Sequence, residues 1–134
     1  MGRFIITRTE TEVQFALYSQ SGRILAVSKP YATLDACKKS ICSLVQYAPS
    51  CPVVFRGEGR HANPKFEITA AVDGFLYEMK APNGKGVLSA GPFATRKACL
   101  RAVSMLRAGV ESAQVLLEQA GRLYPLTVGG LTTT

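Results

Sequence analysis

The sequence lacks any apolar run that approaches the roughly 20 residues needed to span a membrane as a helix. Its first residues, Met1 to Thr9, also lack the charged-then-apolar pattern of a signal peptide. These two absences predict a cytoplasmic, soluble protein with no membrane partner.

Residues that could carry chemistry are also scarce. The single histidine, His61, lies in a predicted linker. A histidine in such a position is more often a solvated loop residue than a metal ligand or a catalytic base. Asp35, Glu10 and Glu12 form no acid/base pair that can be placed, and no phosphate-binding glycine loop occurs. We therefore predict a protein that is not an enzyme and that has no cofactor and no metal site.

The four cysteines include no Cys-x-x-Cys pair, which argues against a zinc site. Cys37 and Cys99 occupy equivalent positions of two predicted helices, beside apolar neighbours, where a free cysteine behaves as a small buried hydrophobe. We predict that all four thiols are reduced and that these two are buried. The alternative is a thiol activated at a helix N-terminus.

The chain is built around an internal repeat. Lys29 to Cys37 recurs as Gly91 to Cys99, at an offset of 62 residues. Thr33 and Thr95 are suited to cap two helices, because a threonine hydroxyl accepts a hydrogen bond from a first-turn backbone N–H. The same offset aligns further pairs: Phe4 with Phe66, Ile6 with Ile68, Thr7 with Thr69, Gly22 with Gly84, Leu44 with Leu106 and Val53 with Val115. These matches predict a tandem duplication.

The length and the repeat predict the domain organisation. The 134 residues, 47% of them apolar, suit one domain over residues 1–134. Each half alone, at roughly 55–60 residues, is marginal, so we expect the halves to share one core. The predicted parts are repeat 1 at about 3–59, a linker at about 57–64, repeat 2 at about 65–120 and a tail at 121–134.

Each half reads as three strands, a helix and a fourth strand. Period-2 alternation marks the strands, and Gly22 and Gly84 mark hairpin turns before the third strand of each half. The apolar residues Cys37, Ile41 and Leu44 recur at helical spacing. The predicted fold class is therefore α+β, with two tandem β3-α-β repeats forming one antiparallel sheet and both helices on one face.

Three features recur in both halves: Phe4 and Phe66, the Ser-Gly and Asn-Gly turns at Gly22 and Gly84, and the helix entries Tyr31 with Thr33 and Phe93 with Thr95. Together they resemble the YegP-like family of small domains of unknown function. The resemblance spans nearly all of Arg3 to Gln119 and implies that the C-terminal strands swap between the repeats. It implies no established activity, catalytic residue or ligand. One departure is the small helix residue, often glycine in the family, which is Ser40 and Ala102 here.

The formal net charge of +7 favours acidic partners, nucleic acid among them, although it is also compatible with simple solubility. Basic residues cluster on the two predicted helices. The commoner outcome for such a cluster is a solvated outer face, and the functional one is phosphate contact. The candidate nucleic-acid contacts are Lys38, Lys39, Arg96, Lys97, Arg101 and Arg107.

Strand alternation also places apolar residues on the sheet face opposite the helices, where polar residues are usual. The candidate contacts on this open face are Ile5, Tyr18, Val54, Leu76 and Leu116. Exposed apolar area of this kind marks a partner surface, which either a second copy of the chain in a homodimer or the tail could cover. We favour the tail, whose Leu123, Tyr124, Leu126 and Val128 are apolar, and expect its last residues to be disordered. The predicted function is a small non-enzymatic binding or structural module for a protein or small ligand, and the alternative is nucleic-acid binding.

Overall fold

The computed structural model describes residues 2–128 as strands, two helices and their connections. In chain order the elements are β1 (Arg3–Arg8), β2 (Val13–Tyr18), β3 (Ile24–Ser28), α1 (Leu34–Tyr47), β4 (Val53–Phe55), β5 (Lys65–Ala71), β6 (Gly74–Lys80), β7 (Gly86–Phe93), α2 (Arg96–Val110), β8 (Gln114–Gln119) and β9 (Arg122–Pro125).

Both helices begin where the sequence predicts. The Thr33 hydroxyl accepts from the Ala36 N–H at 3.1 Å, and the Thr95 hydroxyl accepts from the Ala98 N–H at 3.0 Å. Each hydroxyl satisfies a first-turn donor that has no partner within its helix. The two predicted N-caps are therefore confirmed.

The strands form one mixed sheet of nine strands in the order β4-β5-β6-β7-β3-β2-β1-β8-β9. β1 runs parallel to β8, and β4 runs parallel to β5. The predicted fold class, two tandem β3-α-β repeats forming one antiparallel sheet with swapped C-terminal strands and both helices on one face, is therefore wrong. Alternation of apolar residues shows which side of a strand is buried, but it carries no information on the direction of its neighbour.

The segment 56–64 explains one of the parallel pairs. β4 has three residues, and the chain after it returns along the sheet edge before β5 begins. β5 consequently starts at the same end of the sheet as β4, with Val53 opposite Phe66 and Phe55 opposite Ile68. The predicted linker thus acts as a return connection between adjacent strands instead of a hairpin.

One hydrophobic core joins the helices to the sheet. Cys37, Ile41 and Leu44 of α1 and Cys99, Val103 and Leu106 of α2 are all buried in it. Within the core, the aromatic rings form two matched trios whose members lie 62 positions apart: Phe4, Phe15 and Tyr31, and Phe66, Tyr77 and Phe93. In each trio one ring pair is edge-to-face and the other is stacked.

The tail adds the edge strand of the sheet, and its covering of the open-face apolar residues stays a prediction. Arg122–Pro125 forms β9 and pairs antiparallel with β8, and the Leu126 N–H donates to the Val115 carbonyl at 2.9 Å. Val128 is buried in the core. The predicted disorder concerns residues that lie outside 2–128.

Candidate functional site

The centre of the sheet contains a short seam. β3 and β7 pair only at Val27 with Ser89 and at Ser28 with Leu88. On either side of these two pairs the strands diverge, and a cleft opens at each end of the seam. Because the seam joins the two halves of the chain, the two clefts are lined by residues that lie 62 positions apart: Pro30 and Pro92, Tyr31 and Phe93, Ser40 and Ala102, and Ser43 and Met105.

The first cleft, named here the apolar cleft, has a volume of about 640 Å³. Of the eight large apolar side chains exposed within residues 2–128, four line it, and they are 37 to 58% exposed. These four are Ile24, Val27, Leu76 and Met105. The remaining lining residues include Ala102, Phe93 and the cation Arg23. Within the described part of the chain, Arg23 has no acidic partner.

The second cleft, named here the basic cleft, has a volume of about 560 Å³. Its wall contains four lysines and one carboxylate, together with hydroxyl and amide groups. These residues are Lys29, Lys39, Lys80, Lys85, Glu78, Tyr31, Ser40, Ser43 and Asn83.

A tyrosine bridges the sheet beside each cleft. The Tyr77 hydroxyl donates to the Leu25 carbonyl at 3.3 Å, and the Tyr31 hydroxyl donates to the Val87 carbonyl at 3.5 Å. The two acceptors, Leu25 and Val87, lie 62 positions apart, but the two tyrosines do not. At this offset Tyr77 corresponds to Phe15, and Tyr31 corresponds to Phe93. Burial raises the pKa of both tyrosines, which keeps these hydroxyls protonated as donors.

The sheet face turned away from the core carries one row of directly paired residues, named here the outer row. Side chains that are opposite each other in register point to the same face. From one sheet edge to the other, the outer row is Val54, Glu67, Glu78, Ser89, Val27, Ala16, Ile5, Leu116 and Pro125. Apart from Val54, its apolar members are all on one side of Ser89.

Ion pairs fill the charged part of the outer row. Glu67 and Glu78 lie directly opposite each other, an arrangement that is unfavourable for two like charges. Lys65 and Lys80 contact Glu67 at 3.5 and 3.4 Å, and Lys29 contacts Glu78 at 3.3 Å. These three lysines offset the repulsion, and they separate Val54 from the apolar part of the row.

The five predicted open-face residues therefore do not form one strip. Leu76 is exposed, and Tyr18 and Ile5 are half-buried. Val54 and Leu116 are only 7 and 9% exposed, so they offer little surface to a partner. The structure instead places Leu76 at the apolar cleft and Ile5 with Leu116 in the apolar part of the outer row.

The six predicted basic contacts also separate. Arg107 donates to the backbone carbonyls of Ala48 and Cys51 and lies over the Phe66 ring. Arg96 lies 4.4 Å from the centre of the Phe55 ring and pairs with Glu58 at 3.3 Å. Both guanidinium groups are thus engaged within the protein.

The other four basic residues lie on the helix surfaces. Lys39 pairs with Asp35 at 3.3 Å across one turn of α1, and both side chains are well exposed. Lys38 is half-buried, and Lys97 and Arg101 are exposed on α2. Of the six, only Lys39 lines either cleft.

The cysteines are free, and Cys37 and Cys99 are buried as predicted. Burial raises the pKa of the Cys37 thiol to about 12 and also raises the pKa of the Cys99 thiol, which opposes reactivity as a nucleophile. His61 lies in an exposed loop, with its ring nitrogen 3.2 Å from the Glu58 carbonyl. Within residues 2–128, no group of histidine, cysteine or acidic residues is arranged to hold a metal ion.

Several cleft residues are absent from the sequence-based sets: Arg23, Ile24, Val27, Ser43, Lys85 and Met105. One signal could have found Ser43 and Met105. Within the predicted repeat, Ser40 and Ser43 correspond to Ala102 and Met105, so polar residues of one helix are replaced by apolar residues of the other.

No family model matches the sequence, and no curated protein matches it significantly. Solved structures do share the fold. YegP from E. coli, a protein of unknown function, is 21% identical, and the similarity covers 90% of this chain and 96% of that one at a TM-score of 0.72. The UPF0339 protein SO3888 from Shewanella oneidensis is 16% identical, with coverage of 87% and 92% and a TM-score of 0.66.

This chain therefore has a YegP-like fold, and the resemblance recognised in the sequence is confirmed at the level of the fold. At such identities the likeness extends to the fold alone. Neither name carries an activity, so function has to be inferred from the clefts. In the described residues, neither helix has the length and apolar character needed to cross a membrane.

Proposed function

We propose that the protein is a non-enzymatic binding module that holds an apolar, extended segment of a partner protein in the apolar cleft. The observation that carries the proposal is the concentration of exposed apolar side chains. Ile24, Val27, Leu76 and Met105 lie together in one concave site instead of being scattered over the surface. Contiguous exposed apolar area is the usual mark of a protein interaction site.

The site continues beyond the cleft. Val27 belongs both to the apolar cleft and to the outer row, where it pairs with Ala16, and Ala16 pairs with Ile5. A bound segment that fills the cleft can therefore extend over β2 and β1. An extended contact in which a few side chains occupy a pocket is typical of peptide recognition.

Charge selects the kind of segment. Arg23 stands at the apolar cleft without an acidic partner in the described residues, and the whole chain carries a net charge of +7. Basic surfaces attract acidic partners and repel basic ones. We infer that the preferred segment has acidic residues beside its apolar ones.

Nucleic-acid binding through the helices has weaker support. Arg96 and Arg107 are engaged in internal contacts, which leaves Lys38, Lys39, Lys97 and Arg101 for phosphate. Retention on heparin between about 50 and 500 mM salt tests this alternative, because phosphate binding weakens steeply with salt. Retention that does not change over this range counts against it.

The proposed function is tested with a short blocked peptide of leucines flanked by glutamates. It is titrated into ¹⁵N-labelled protein and followed by amide chemical shifts. A second peptide carries lysines in place of the glutamates. Met105→Glu places a carboxylate in the apolar cleft at a well-exposed position. Its matched control is Ser43→Glu, which lies 62 positions away in the basic cleft.

We expect saturable shifts around Val27, Leu76 and Ala102, and weaker binding of the lysine peptide. We also expect at least about tenfold weaker binding to Met105→Glu, because the bound peptide would bury an unpaired charge. Ser43→Glu should bind as the wild type does. Shifts scattered over the surface, or equal binding to the two variants, would reject the proposal.

A further inference from the structure

The basic cleft is a second concave site, independent of the apolar one. It lies between the end of β3, the hairpin that joins β6 to β7, and the outer side of α1. Its volume of about 560 Å³ is within the range of small-molecule sites, roughly 300–1,000 Å³. Its chemistry differs from that of the apolar cleft, because serines replace Ala102 and Met105 on the helix side.

The lining is strongly cationic. Lys29, Lys39, Lys80 and Lys85 face one carboxylate, Glu78. Three of these lysines also have an acidic partner, but the Lys39–Asp35 pair is largely exposed and therefore weak. Lys85 has no acidic partner within residues 2–128. The cleft consequently keeps an excess of positive charge, which an anion can neutralise.

Neutral donors stand among these lysines. Ser40 and Ser43 present hydroxyls from successive turns of α1, and both are partly buried. Asn83 uses its side-chain oxygen to accept from the Lys85 N–H at 3.0 Å, which holds the hairpin and leaves its amide nitrogen as a donor. Cations and hydroxyls that line one cleft can bond to several oxygens of one tetrahedral anion.

The Lys29–Glu78 pair forms part of one wall of the cleft. A side chain at Gly86 would overlap this pair, because a Cβ atom there would lie 2.0 Å from a Glu78 carboxylate oxygen and 2.8 Å from the Lys29 ammonium. The pair thus packs directly on the Gly86 backbone and engages the only acidic residue of the lining. This arrangement lowers the repulsion that Glu78 would exert on a bound anion.

We propose that the basic cleft binds the phosphate group of a small soluble molecule. The concave shape and the mixture of lysine and hydroxyl donors favour one compact phosphate over an extended polyanion. The exposed cations Lys97 and Arg101 of α2 lie outside the cleft and are not needed for this site.

The test titrates inorganic phosphate into ¹⁵N-labelled full-length protein at constant ionic strength, and a single-stranded oligonucleotide is titrated separately. Lys85→Gln removes the cation that has no acidic partner. Arg101→Gln is the matched control, because it removes an exposed helix cation that lies 62 positions from the cleft residue Lys39. Thermal melting of each variant without ligand verifies that it is folded.

We expect saturable phosphate shifts at Ser40, Ser43 and Asn83, about fivefold weaker binding to Lys85→Gln, and unchanged binding to Arg101→Gln. A lack of saturation at about 20 mM phosphate, or equal loss in both variants, would overturn the proposal. Oligonucleotide binding that depends on Arg101 and shifts no cleft residue would overturn it in favour of the helix surfaces. The peptide experiment probes the other cleft, so either proposal can fail alone.

Discussion

The apolar cleft and the basic cleft occupy equivalent ends of the same seam, yet they carry opposite chemistry. Met105 and Ala102 face the first, and Ser43 and Ser40 face the second. Ile24, an exposed apolar residue of the first cleft, corresponds to Gly86 of the second, where the ion pair of Glu78 and Lys29 packs instead. The difference shows that side chains changed at a few positions can convert one backbone arrangement into two distinct sites.

The backbone around the clefts is held by similar devices in different sequence positions. Stacked rings flank both ends of the seam, Tyr77 with Phe93 at 6.1 Å and Phe15 with Tyr31 at 6.5 Å. In the first pair the hydroxyl belongs to Tyr77 of β6, and in the second it belongs to Tyr31, which precedes α1. Both hydroxyls nevertheless reach a backbone carbonyl of the opposite half. Variants that disturb one cleft and spare the other therefore test how independent the two sites are.

The largest effect is expected from Gly91→Ala beside the apolar cleft. Gly91 has a φ of +124°, and a Cβ atom there would lie 2.8 Å from the Phe75 carbonyl oxygen and 2.7 Å from Leu76. Backbone strain and a contact with rigid backbone predict a loss of about 3 kcal/mol in the free energy of unfolding. Urea denaturation measures it.

Gly86→Ala in the same strand is the control. The added Cβ atom there meets only the ends of the Glu78 and Lys29 side chains, which can move aside. We expect a loss below about 1 kcal/mol, since a partly exposed ion pair contributes little. Equal losses in the two variants would contradict the distinction between rigid backbone at Gly91 and movable side chains at Gly86.

An effect that is smaller for each pH unit is expected from the buried thiol of α1. Folded Cys37 keeps its proton until about pH 12, whereas the ordinary cysteine pKa is 9.0. Between these values the unfolded state binds fewer protons than the folded state. The contribution of this thiol to the free energy of unfolding is therefore fully present below pH 9 and is lost as the pH rises towards 12. The slope approaches about 1.4 kcal/mol per pH unit for this one group.

Urea denaturation at a series of pH values measures that slope. Cys37→Ala should reduce the slope, because it removes the titrating thiol. A slope that is unchanged in Cys37→Ala would mean that this thiol is accessible to water in the folded protein.

The smallest effect separates the two tyrosines. Tyr77→Phe removes a hydrogen bond from a fully buried ring and should cost about 1 kcal/mol in the free energy of unfolding. Tyr31→Phe removes a longer bond from a partly exposed ring and should cost about half of that. Chemical denaturation of both variants gives the comparison, and the reverse order would assign the stronger bridge to the basic cleft.

The sequence predicts the parts of this fold that depend on local chemistry. Thr33 and Thr95 mark the helix starts, and the period-2 pattern identifies Phe4, Ile6 and Phe15 as core residues. Strand direction and the clefts depend on relations between distant segments. The sequence around Val53 does not indicate that β4 runs parallel to β5. The sequence around Val27 does not indicate that β3 separates from β7 after two residue pairs.

The same limit explains the predicted contacts. Arg107 has the sequence signature of a surface cation, but the residues that follow α1 lie beside it in space, and two of their carbonyls accept hydrogen bonds from its guanidinium. Val54 alternates as an outward residue and does lie on the outer face, yet neighbouring side chains leave it almost no exposure. Burial at a sheet edge is set by packing, which alternation does not describe.

The most direct test of two separate sites with opposite chemistry is one set of four titrations. Met105→Glu and Ser43→Glu are each titrated with the glutamate-flanked leucine peptide and with inorganic phosphate, and amide shifts give the affinities. We predict that Met105→Glu weakens peptide binding alone and that Ser43→Glu weakens phosphate binding alone, each by about tenfold or more. The new carboxylate would be desolvated under the peptide in the first variant and would repel the phosphate in the second, and neither effect reaches the other cleft. A variant that weakens both ligands equally, or neither, would contradict the separation of the two clefts.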